Sequence, residues 1–158
     1  GWAMKADEAP TLAGGPSPKN AALRSGRVVV SSGPFVVLRV DDVPAGGTVV
    51  PKGRGALVSV RVEAAPWIDV ARVRVLVNGR EALSLPPTAR PPEAVRLETQ
   101  APLALDGDAA VWAEVDGPTV LPVLEADSPI RPWALTGAVW SDADGDGKLL
   151  PGGPGGGS

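Results

Sequence analysis

"VARVRVLVNGRE", Val70 to Glu81, decides the fold class. Ala71, Val73, Val75 and Val77 alternate with Arg72 and Arg74. That is the period of two expected of a half-buried strand, because successive side chains leave a pleated backbone on opposite faces. The run ends in Asn78-Gly79, the pair favoured where a two-residue hairpin needs positive φ at both central positions. A return strand is expected over Arg80 to Leu85.

The same period extends in both directions. In "ALVSVRVEA", Ala56, Val58, Val60, Val62 and Ala64 face one way, against Ser59, Arg61 and Glu63. "RVVVSS" (Arg27 to Ser32) and "FVVLRVD" (Phe35 to Asp41) are β-rich runs around Gly33-Pro34, and further strands are expected at Ala94 to Thr99, Ala110 to Asp116 and Ala134 to Trp140. Prolines such as Pro44, Pro51, Pro66, Pro102 and Pro118 fall between these runs, which fits loops and edges because proline cannot donate to a ladder. "SPKNAALRSG" is the one helix expected, with Ser17 as cap, Pro18 at the first position and Gly26 as stop. Seven or eight short strands with one polar face each predict an all-β, immunoglobulin-like antiparallel sandwich with one short N-terminal helix. The domain is expected over residues 17–151, after a flexible segment 1–16 and before a Gly-rich tail 152–158.

Composition narrows the function. The net charge of -3 argues against a nucleic-acid surface or a polybasic membrane contact. No apolar run approaches the ~20 residues that span a bilayer, and "GWAMKADEAP" shows no apolar core of a secretion signal. The chain has no Cys and no His. Thiolate metal sites, zinc enzymes and Ser–His or Cys–His mechanisms are thereby excluded for this chain, and no catalytic residue is expected in it.

The strongest chemical motif is "SDADGDGK", Ser141 to Lys148. Asp142, Asp144 and Asp146 take positions one, three and five of a D-x-D-x-D-G loop, and Gly147 allows the sharp turn at position six. Three converging carboxylates repel unless a cation binds or the loop stays open. Hard oxygen donors point to Ca²⁺ ahead of Mg²⁺, with the Lys148 carbonyl as a further ligand. The loop is not an EF-hand, since position twelve is Gly153 and the flanks are a strand and a Gly-Pro tail. Either Asp41-Asp42 or Asp106-Gly107-Asp108 could add a carboxylate, and the sequence does not choose between them. Arg61, Arg72, Arg74 and Arg96 are expected in solvent-facing charge ladders rather than an anion-binding stripe. Trp67, Trp112, Trp133 and Trp140 are expected as inter-sheet plugs rather than a sugar-stacking platform.

Four stretches in order, "SGRVVVSSGPFVVLRV", "APWIDVARVRVLVNGRE", "AVWAEVDGP" and "PWALTGAVWSDADGDGK", resemble the C-terminal β-sandwich of CehA/McbA-type metallohydrolases, in the PHP (polymerase and histidinol phosphatase) superfamily. The resemblance covers roughly Ala21 to Pro151, with Gly137-Ala138 where members tend to carry Asn-Pro. It implies an accessory domain that follows a catalytic domain in cis, the latter supplying His, Asp and Glu ligands that this chain cannot. It also implies an extracellular or periplasmic setting. The alternatives are a free-standing module that binds protein or glycan, and a structural spacer.

Overall fold

The computed structural model describes residues 18–121 and 129–149. It contains one short helix, α1 (Pro18–Arg24), and eleven strands among the described residues: β1 (Val29–Ser31), β2 (Phe35–Val40), β3 (Val43–Pro44), β4 (Thr48–Val49), β5 (Gly55–Glu63), β6 (Arg72–Val77), β7 (Arg80–Leu85), β8 (Val95–Ala104), β9 (Ala109–Asp116), β10 (Trp133–Thr136) and β11 (Val139–Ser141). The expected Ser17 cap and the segments 1–16 and 152–158 lie outside the described residues.

Two sheets form. One has the order β3-β2-β5-β8. In the other, β7, β6 and β9 lie side by side, and the far edge of β9 is shared between β10 and β11. β1 lies beyond β10, and β4 lies beyond β11 in the one parallel pairing among the described residues. Asn78 and Gly79 have φ of 49° and 81°, the left-handed pair that the β6–β7 hairpin requires.

The valine-rich faces meet between the sheets, as period two demands. Val36, Leu38, Val58, Val60 and Val62 come from one sheet, and Val73, Val75, Val111 and Val115 from the other; all are buried. Ala71, expected with them, is exposed. Leu76 is buried although it sits opposite Trp112 in the row that also carries Arg72 and Arg74, outside the core face.

The structure corrects several expectations. None of Trp67, Trp112, Trp133 and Trp140 plugs the core: Trp67 is 63% exposed and the other three are half-buried. Trp112, Trp133 and Trp140 are strand neighbours of the buried Val111, Ala134 and Val139, so the alternation of the pleat turns the indoles to the other side of the sheet. Arg96 is fully buried rather than part of a solvent-facing ladder, because β8 bulges against β5 between Val62 and Glu63 and leaves Arg96 unpaired in the register. Arg61, Arg72 and Arg74 do form ladders, bonded to Glu63, Glu98, Glu114 and Asp116.

The single strand expected over Ala134 to Trp140 is broken at Gly137-Ala138. Three backbone segments cross there. Gly137 N–H donates to Val28 (2.7 Å), and Gly46 N–H donates to the Ala138 carbonyl (2.7 Å). A Cβ on Gly137 would lie 1.9 Å from the Gly26 oxygen, and one on Gly46 would lie 1.9 Å from the Ser25 oxygen, so only glycine permits the crossing. The ladder gap is filled by a side chain: Ala113 N–H donates to Thr136 Oγ1 at 3.0 Å.

Pro102 falls inside β8, not in a loop. Both backbone groups of its partner Leu57 turn the other way, to Asp41 (2.8 and 2.7 Å), so the proline nitrogen faces the open edge, where no ladder bond is lost.

Candidate metal centre

β9 and β11 are paired, with Ser141 opposite Ala109. Asp108 immediately precedes the first strand and Asp142 immediately follows the second, so antiparallel pairing carries both to one end of the sandwich. Asp108, Asp142 and Asp144 can each offer a carboxylate oxygen within 4.8 Å of the others. Among the described residues this is the one acidic grouping of that kind, and its donor set is able to hold a metal ion. Three hard anionic oxygens suit a hard divalent cation.

The loop is shaped by its own first carboxylate. Asp142 is buried; its Oδ1 accepts from Gly145 N–H (2.9 Å) and its Oδ2 from Gly147 N–H (3.0 Å). Each carboxylate oxygen retains acceptor capacity after one such bond. Gly145 and Gly147 have φ of 73° and 76°, which explains glycine at positions four and six of the motif. Asp142 N–H donates to Val49 (2.9 Å), tying the loop back to β4.

Asp108 is held from two sides. Its Oδ1 accepts from Ala143 N–H at 3.0 Å, and its carbonyl accepts from Asn78 Nδ2 at 3.3 Å. Asn78 Oδ1 in turn accepts from Ala110 N–H at 2.9 Å, so the hairpin residue also splints the entry to β9. The sequence marks Asn78 only as a turn former, and its second role follows from the β6–β9 register.

Of the four residues singled out from the motif, Asp142 and Asp144 belong to the cluster. Asp144 is exposed, and its Oδ1 accepts from Asp146 N–H at 3.1 Å. Asp146 turns to Lys148 instead, accepting from its backbone N–H (2.7 Å) and pairing with its ammonium (3.3 Å). Of the two acidic pairs left open by the sequence, Asp108 joins the cluster. Asp41 and Asp42 form the β2–β3 turn, with φ of 46° and 65°. An open groove of about 620 Å³ near Asp41, Lys52, Leu57 and Pro102 is lined by none of the three clustered aspartates.

Known protein families, curated proteins and solved structures offer no match to the chain.

Proposed function

We propose that this chain is a non-catalytic accessory β-sandwich module whose Asp108/Asp142/Asp144 cluster binds Ca²⁺, with Mg²⁺ the weaker ligand, as a structural ion. The observation that carries the reading is the convergence of the three carboxylates on the adjoining ends of β9 and β11. A cation there would clamp two neighbouring strand ends, with no imidazole or thiol in the chain to turn it to chemistry. The strand order supports an immunoglobulin-like assignment, with β2-β5-β8 in one sheet and β6-β9-β10/β11 in the other.

The resemblance to the C-terminal part of PHP-type metallohydrolases supports a catalytic domain in cis as the partner. An extracellular or periplasmic setting suits such a loop, because extracellular Ca²⁺ modules work at roughly 10⁻⁴–10⁻³ M. Thermal melting tests the ion. EGTA is expected to lower the midpoint and excess Ca²⁺ to restore it, and superimposable curves would leave a solvated turn. The gene upstream of Gly1 tests the partner: a long segment with His-x-His and further His, Asp and Glu ligands is expected, and a natural start near Met4 would refute it.

The tryptophans favour a second reading, a module that binds protein or glycan. Trp67 is 63% exposed, and Trp112, Trp133 and Trp140 are half-buried outside the core. A shift of Trp emission on adding a glycan or partner would support it.

A further inference from the structure

Arg96 is fully buried at the end of the sandwich opposite the aspartate cluster. Its Nη2 donates to the carbonyls of Ala65 and Ile68, each at 2.9 Å, across a turn closed by Ile68 N–H to Ala65 O (2.9 Å). Its own carbonyl accepts from the N–H groups of Thr88 (2.9 Å) and Ala89 (3.1 Å). The residue is therefore enclosed between the 65–68 turn and the 88–89 segment. Its Nε and Nη1 are buried and have no partner among the described residues. Arg96 takes part in none of the ion pairs among the described residues, whereas Arg61, Arg72 and Arg74 are each bonded to carboxylates.

A guanidinium does not give up its proton in a protein, so burial cannot neutralise it as it can a lysine or a carboxylate. A buried charge with no counter-charge is strongly unfavourable, and buried donors with no acceptor add to that cost. Two backbone carbonyls satisfy one nitrogen. A water molecule could satisfy further N–H groups but would leave the charge uncompensated. We infer that Arg96 is the receptor for a small monovalent inorganic anion of the chloride class, held against Nε or Nη1 beneath the 65–68 turn. The site is independent of the aspartate cluster and of the proposed cation. Because Nε and Nη1 are both shut off from solvent, the ligand must be small, and a bulky organic anion is excluded.

The test is thermal melting of the whole chain in sodium chloride and in sodium gluconate at equal ionic strength, with EGTA present throughout. Chloride is expected to raise the midpoint by a few degrees in a saturable manner, as a ligand of the folded state does. The response should vanish in Arg96→Met and persist in Asp144→Ala. Equal midpoints in the two salts, or an undiminished chloride response in Arg96→Met, would overturn the inference. Should Arg96→Met fail to fold, bromide-soaked crystals of the unaltered protein decide. An anomalous peak in contact with Nε or Nη1 is expected, and an ordinary water there in its place refutes the site.

Discussion

Asp108 and Asp142 face each other across the paired ends of β9 and β11, and Asp108 Oδ1 accepts from the N–H of Ala143, the residue after Asp142. The acidic motif is thereby completed by a residue from a different loop. The pairing separates the roles of four aspartates that look alike in sequence.

Substitution should reveal that separation. Asp108→Ala and Asp144→Ala are expected to lose the difference in melting temperature between Ca²⁺ and EGTA, while both still fold, because the loop lies beyond the strand ends. Asp146→Ala, whose carboxylate is engaged with Lys148, is expected to keep most of it. At a Ca²⁺ concentration of 100 Kd the stabilisation at stake is about 2.7 kcal/mol. Equal loss in all three variants would contradict the division.

Two buried hydroxyls should respond with opposite signs. Thr136 Oγ1 accepts from the buried Ala113 N–H in the gap between β10 and β11, so Thr136→Val is expected to cost about 1–3 kcal/mol in urea unfolding. Ser141 is fully buried and its Oγ has no partner among the described residues, so Ser141→Ala is expected to be neutral or stabilising by about 1 kcal/mol. A marked loss of stability in Ser141→Ala would show that its hydroxyl is bonded.

The backbone crossing gives a steric prediction. Gly137→Ala places a Cβ 1.9 Å from the Gly26 oxygen, which forces the α1–β1 turn away from the β10–β11 break. A loss of about 2–3 kcal/mol is expected in chemical denaturation. Gly79→Ala, where a Cβ meets nothing within 4 Å but φ is 81°, should cost less than the crossing does.

These two substitutions also show how much of the fold is legible in sequence. The alternation in β5 and β6 and the Asn78-Gly79 turn identify the strands, the faces and the hairpin, because each depends on neighbours along the chain. The break at Gly137 depends on Gly26 and Gly46 approaching from distant segments, and no local pattern marks it. Arg96 reads as one more polar position in a strand, and only the bulge opposite Val62 and Glu63 turns it inward. Trp112 and Trp140 suggest core by their size, but their parity places them outside, next to the buried Val111 and Val139. The aspartate motif names Asp142 and Asp144, while Asp108 joins them only through strand pairing.

Pro102 predicts a difference in association. β8 is a ten-residue edge strand, and Pro102 removes one outward donor from it. Pro102→Thr restores that donor without a clash with β5, so folding should persist while concentration-dependent self-association rises, as read by sedimentation velocity. Unchanged sedimentation at high concentration would argue that this edge is protected by other means.

Arg61 should add no pH dependence near neutrality. Its guanidinium is held above its ordinary value, first by the hydrogen bond to Glu63 and then by Glu98. A raised folded-state value means that the contribution is complete below the unfolded value and is lost only as pH rises through the folded one, in strong alkali. Arg61→Gln is therefore expected to shift the melting midpoint equally at pH 6 and pH 9.

Isothermal titration of Ca²⁺ into the chelator-treated protein tests the central claim most directly. The account predicts one saturable site, weaker binding of Mg²⁺, and no heat of binding in the Asp108→Ala variant. Absence of binding at millimolar Ca²⁺, or binding unchanged by Asp108→Ala, would contradict it.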